Sequence, residues 1–181
     1  MSHKVLLRQH DALDLLRRDH EAIKHLFEDY ERLVKRRADL ERKAEVVGRL
    51  CFTLSLHFQI EEEIFYPAAR AALGDEAWIA HALDDHGGGK ELIARLDEME
   101  PGDADFDATV AVLSAYIVPH MNEEQDAVFQ KVQQAGLDTA ALGRRMAQRQ
   151  KALTEDVTRI GLPHSTRAAI SWPVVCRVAM K

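Results

Sequence analysis

Six side chains of metal-ligand type stand on what would otherwise be the apolar seams of four amphipathic helices. From Asp11 to about Arg37, the residues Leu13, Leu16, Ile23, Phe27, Tyr30 and Val34 recur at helical steps, and His20 fills the one missing slot. A second pattern, Leu40 to about Arg70, runs through Leu40, Ala44, Val47, Leu50, Leu54, His57, Glu61, Ile64 and Ala68. A third, Asp75 to about Glu100, runs through Ile79, Ala82, His86, Ile93 and Leu96. The fourth, Phe106 to about Gln134, takes in Phe106, Val110, Leu113, Ile117, His120, Glu124 and Val128. The breaks hold Ala38-Asp39, Leu73-Gly74-Asp75 and Pro101-Gly102-Asp103, which read as stop and N-cap signals. A His or Glu on a core stripe is costly unless hydrogen-bonded or bound to a metal. One such His reads as a satisfied core histidine; six such groups spread over four helices read as a site.

Register supports this. In an antiparallel hairpin, residues equally far from the turn lie at equal height, because each helix rises about 1.5 Å per residue. The midpoint of His20 and His57 falls at Ala38-Asp39, that of Glu61 and His86 at Leu73-Gly74, and that of His86 and His120 in Pro101-Gly102-Asp103. All four helices therefore deliver their ligands at one level. The arrangement also occurs twice: Asp19-His20 precedes His57-x-x-x-Glu61, as Asp85-His86 precedes His120-x-x-x-Glu124. Residues four apart share a helix face, so the pattern predicts two similar halves facing each other across the bundle axis. The fold expected is all-α, an antiparallel up-down-up-down four-helix bundle over residues 1–136. A C-terminal helical extension over 137–160 and an irregular tail over 161–181, packed through Trp172 and Val174-Val175, complete the chain.

Four imidazoles with two carboxylates suit a borderline transition metal. Thiolates are missing from the set, against structural zinc, and its nitrogen content argues against Ca²⁺ or Mg²⁺. Two irons, one on His20 and His57 and the other on His86 and His120, with Glu61 and Glu124 between them, are the expected cofactor.

The rest of the sequence narrows the setting. Lys and Arg number 24 against 30 Asp and Glu, a net charge of −6 that argues against nucleic acid as a partner. No apolar run reaches the roughly 18 residues of a membrane span, and no signal peptide is visible. The scarcity of cysteine, Cys51 and Cys176 only, favours a reducing cytoplasm, with both thiols structural.

The segments RRDHEAIKHLF, HFQIEEEIFYPA, DDHGGGKELI and PHMNEEQDAVF resemble the hemerythrin-like domains known as HHE cation-binding domains, of the bacterial single-domain type. The resemblance covers roughly residues 10 to 135 and extends in character to about Leu153. It implies a non-haem di-iron centre that meets O₂ or related small oxidants, with His20, His57, Glu61, His86, His120 and Glu124 as the carried-over ligands. Ferritin-like bundles, built on Glu-x-x-His, match less well. Oxygen-carrying hemerythrins have a further His one turn before the third-helix His, where this chain has Ala82; His81, five residues from His86, points about 140° away unless a π-bulge brings it round. The carriers also end on His with an Asp five residues on, where this chain has Glu124 at four and Gln125 at five.

Other residues take plainer readings. Glu62, Glu63 and Glu123 read as solvated, and His3, His10, His25 and His164 as surface residues. Asp19 and Asp85 point about 100° from the imidazoles they precede, which leaves open whether they orient them. Pro67 and Pro119 are expected to kink their helices, Gly87-Gly88-Gly89 to weaken the third, and Tyr30, Tyr66 and Tyr116 to pack, with donation from one of them to an iron-bound oxygen species as the alternative. Three functions remain: a di-iron protein that binds or senses O₂, a small oxidant or iron; a di-iron enzyme consuming peroxide or nitric oxide; and a metal-stabilised interaction module.

Overall fold

A computed structural model describes residues 11–159, with side chains to residue 155; the expected tail, with Trp172, Val174-Val175 and Cys176, and the histidines His3, His10 and His164 lie outside the described residues. Helix α1 spans Ala12–Lys35 and α2 spans Leu40–Ile60. A π-helical turn, Glu61–Phe65, carries α2 without a break into α3, Tyr66–Leu73. Helix α4 spans Glu76–Asp97 and α5 Phe106–Glu123; a second π turn, Glu124–Val128, leads into α6, Phe129–Gln134. Helix α7 spans Thr139–Arg159. The described residues form an all-helical bundle of four long rods with a fifth helix beside them, and they include no strand.

The helix starts follow from capping. Asp11 accepts from the backbone N–H groups of Leu13 and Asp14, Asp39 from Arg42 and Asp75 from Trp78, so each satisfies donors that the first turn leaves unpaired. Gly74 ends α3 at φ 63°, the left-handed C-cap that glycine takes at little cost. The third break differs from expectation. Asp103 accepts from the N–H of Glu100, closing the loop behind it, and α5 starts three residues later.

Two apolar clusters fill the bundle. One contains Ile23, Phe27, Leu50, Leu54, Phe58, Ile93, Leu113 and Ile117. The other contains Leu13, Leu16, Ile60, Phe65, Ile79, Val128 and Phe129, together with Leu142 and Met146 from α7. On α1 the second cluster precedes His20 and the first follows it; on α2 the order is reversed about His57. The polar layer thus lies between two apolar blocks. Helix α7 is tied down by Thr139, which donates to Asp11 at 2.6 Å, and by Arg149, which donates to Glu63 at 2.6 and 2.9 Å.

Two positions depart from the expected stripe of the second rod. Leu40 is 53% exposed, and Lys43 is buried instead, with its ammonium 2.7 Å from Asp107 Oδ2. Further on, Ala69 is buried where Ala68 was expected. The π turn explains the second shift: one extra residue in the turn delays everything after it by about one helical step.

Candidate metal centre

Five of the six residues singled out on the seams have no more than 1% of their surface exposed, and His120 has 6%. The structure brings all six into the layer between the apolar clusters. His57 Nε2 lies 3.2 Å from Glu61 Oε2, and His86 Nε2 lies 3.3 Å from the same oxygen. The other oxygen, Glu61 Oε1, is 3.8 Å from His20 Nε2, which is itself 3.3 Å from Glu124 Oε2. His86 and His120 meet Nε2 to Nε2 at 3.2 Å. Two donor sets emerge, His20–His57–Glu61 and Glu61–His86–His120, in each of which the ligand atoms lie within 4.8 Å of one another. Glu61 belongs to both.

The chemistry of the donors fits a cation. His20 Nε2, His57 Nε2, Glu61 Oε1 and both oxygens of Glu124 are buried without a hydrogen-bond partner among the described residues. Buried polar atoms left in this state cost about 1–3 kcal/mol each. A positive ion placed among them would satisfy them together. The titration of the metal-free layer reflects the same crowding. Burial, then the neighbouring imidazoles, pushes His57 well below the ordinary histidine value, so it is neutral and ready to donate. His86 is also lowered by burial, against the opposing pull of Glu62. Burial and the nearby Glu124 push Glu61 well above the usual carboxylate range. Burial acts on Glu124 in the same direction, but the His20 imidazole 3.3 Å away outweighs it and holds it low.

Both π turns begin on one of these two glutamates. The N–H of Tyr66 bonds the carbonyl of Glu61, and that of Phe129 bonds the carbonyl of Glu124, each five residues back. Residues five apart, which diverge by about 140° on an α-helix, are stacked on one face by such a turn. Tyr66 is thereby carried into the layer, contrary to its reading as a packing residue. Its hydroxyl donates to Glu61 Oε2 at 3.3 Å and lies 3.0 Å from His86 Nε2 and 3.4 Å from His120 Nε2. Burial and the two glutamates push its pKa well above the ordinary value, so the phenol keeps its proton. The equivalent Phe129 stacks on His20 with ring centroids 5.9 Å apart.

No such turn occurs at His81, since α4 is regular from end to end. The His81 ring is 57% exposed and lies 3.8 Å from Asp85 and 4.0 Å from Glu123, outside both donor sets. Glu62 corrects a further expectation. Its Oε1 accepts from His86 Nδ1 at 2.9 Å, and Lys90 grips both its oxygens at 2.6 and 2.7 Å. These donors outweigh burial and hold Glu62 low. Glu63 pairs with Arg149, while Glu123 remains about half exposed. Asp85 accepts from His120 Nδ1 at 3.0 Å; Asp19 instead lies 3.5 Å from the Gln150 amide, and burial raises it to about 6. Close helix approach at His86 depends on the glycines after it. A Cβ on Gly89 would stand 2.9 Å from Ile117 and 3.0 Å from Phe58, the ring that packs 4.2 Å from the His86 ring.

Comparison with known proteins bears on the fold and the family. A solved structure of a hemerythrin HHE cation binding domain-containing protein from Mycobacterium kansasii superposes with a TM-score of 0.70 at 20% identity, covering 93% of this chain and 98% of that one. At that identity the likeness shows the fold. Among curated proteins nothing matches. The sequence pattern of the family described as Hemerythrin HHE cation binding domain matches residues 11–132, which is most of the chain, and the chain belongs to that family.

Proposed function

We propose that the chain is a non-haem di-iron protein that binds or senses O₂, a related small oxidant or iron itself in the cytoplasm. One observation carries this reading: Glu61 is common to two buried donor sets, each completed by two imidazoles. His20 and His57 would hold one iron and His86 and His120 the other, with Glu61 between them and Glu124 closing the layer. When bound, an iron pair supplies reversible electron transfer to a small oxidant.

The chain's own residues decide what reaches that pair. His20, His86 and Glu61 have no exposed surface, so a reactant must be small. Phe58 against His86 and Phe129 against His20 keep the layer apolar at its edges, which limits bulk water. Tyr66 holds a proton at its hydroxyl within reach of Glu61 and two imidazoles. Among the described residues, no helix is long and apolar enough to cross a membrane.

Tyr66 also supports the second reading, a redox enzyme that consumes peroxide, because breaking an O–O bond to water requires protons and a buried phenol can deliver one. Cycling O₂ in and out of the ferrous protein, then adding H₂O₂, separates the two. A reversible absorbance change is expected from the binding protein. Sustained peroxide loss over many equivalents assigns the enzyme instead, and no response to either from iron-loaded protein rejects both.

A further inference from the structure

The sequence repeat maps His20 onto His86, His57 onto His120 and Glu61 onto Glu124. It follows that Glu62 maps onto Gln125, Asp19 onto Asp85 and Tyr66 onto Phe129. The inner groups match, and each of the outer pairs differs in chemistry or in contact.

In one half, both imidazoles are backed by carboxylates. His86 Nδ1 donates to Glu62 and His120 Nδ1 donates to Asp85. In the other half, His20 Nδ1 faces the neutral amide of Gln125 at 2.8 Å. His57 Nδ1 is buried with no hydrogen-bond partner among the described residues, and Asp19 faces Gln150 instead. An imidazole that donates Nδ1–H to a carboxylate is fixed in the tautomer that leaves Nε2 free, and it becomes a more basic donor through that atom. An amide adds no charge, and an unpartnered nitrogen fixes no orientation. Two features oppose this bias and do not cancel it. Lys90 offsets part of the charge on Glu62, but among the described residues no ammonium or guanidinium pairs with Asp85, whose other charged neighbour is the half-exposed His81. Glu124 approaches His20 most closely, but it does so at Nε2, as an inner group of the layer, and leaves His20 Nδ1 with the amide of Gln125.

We infer that the two metal positions are inequivalent: the His86–His120 position fills first and retains its ion, and the His20–His57 position is the one that exchanges. Glu62 and Asp85 act here as positioning residues. The inference rests on the two-metal reading above, and the test keeps their failures apart.

The metal-free chain is titrated anaerobically with Co²⁺, whose visible bands report its ligands, in competition with a chelator. Two steps are expected, with the first at least about tenfold tighter. Glu62→Gln and Asp85→Asn preserve shape while removing charge. Each should weaken the first step by about 10–100-fold and shift its bands, with the second step unmoved. Gln125→Glu should tighten the second step. His120→Ala should abolish the first step and His20→Ala the second. Two ions bound with equal affinity, a tight step that survives His120→Ala, or a first step indifferent to both Glu62→Gln and Asp85→Asn overturns the inference and leaves the two-metal reading standing. Uptake of fewer than two Co²⁺ per wild-type chain overturns both. The two shape-preserving variants keep the result decisive even if an alanine variant fails to fold.

Discussion

The two halves of the buried layer offer the same inner donors and different surroundings. His20 and His57 face Glu61 much as His86 and His120 do, because a repeated motif on antiparallel helices brings equal heights together. Beyond the Nε2 atoms the likeness ends: Glu62, Asp85 and Tyr66 surround one half, and Gln125, an unpartnered His57 Nδ1 and Phe129 the other. The helix backbone thus sets where ligands meet, while residues one position beside the ligands, or one π turn beyond them, set the chemistry of each half.

The sharpest way to break the comparison is to remove what the halves share. Glu61→Ala should reduce metal uptake from about two ions per chain to near zero, because the carboxylate completes both donor sets. Glu124→Ala should retain more metal, as elemental analysis of the desalted proteins would show. Equal losses would mean that the halves lean on both glutamates alike.

Next comes the Tyr66–Phe129 contrast. Tyr66→Phe should leave the metal count unchanged and slow any peroxide consumption by about a hundredfold, the usual scale for one positioned proton donor. Stopped-flow traces that match wild type would reduce Tyr66 to a packing residue.

A smaller effect is expected from pH. Glu61 holds a proton above the ordinary carboxylate range in the metal-free chain, and the incoming ion must displace it. Metal affinity should therefore fall by about tenfold for each pH unit below that raised value, with the imidazoles competing at lower pH. Folding of the metal-free chain responds with mixed sign. The lowered values of His57 and His86 give stability that is present above 6.5 and lost as pH falls toward their folded values. The raised Glu61 acts oppositely, adding stability as pH falls through its folded value toward 4.5. Affinity, read by chelator competition, is the quantity to follow; retention unchanged down to pH 4 would contradict ligation by imidazole.

The smallest change tests the close approach beside His86. Gly89→Ala should cost about 1–3 kcal/mol in chemical denaturation, since its Cβ would crowd Ile117 and Phe58. The repeat places Ile23 at the corresponding point of α1, so only one half has this constraint. An unaffected midpoint would show that Phe58 moves aside freely.

The four rods and the common level of the six seam residues were legible because apolar spacing and hairpin register follow from helix geometry alone. The seam histidines and glutamates are buried as the spacing demanded. Tyr66 was not legible, since a 3.6-residue period places it off the seam and only the π turn at Glu61 returns it. A π-bulge would likewise align His81 with His86, also five residues apart, but the two π turns lie on the helices that carry the glutamates. Glu62 was hidden for another reason. Its position in the π turn after α2 looks solvated from the sequence, and only the packing of α4 brings His86 and Lys90 across to it. Leu40 misled in the opposite sense, since the first turn of α2 buries the stem of Lys43 instead.

The central claim is that one buried carboxylate joins two imidazole pairs around two ions. Its most direct test is the iron content of the wild-type chain after anaerobic ferrous reconstitution and removal of loosely bound metal. About two irons per chain is the result expected from the paired donor sets. A value near zero from folded protein would contradict the account.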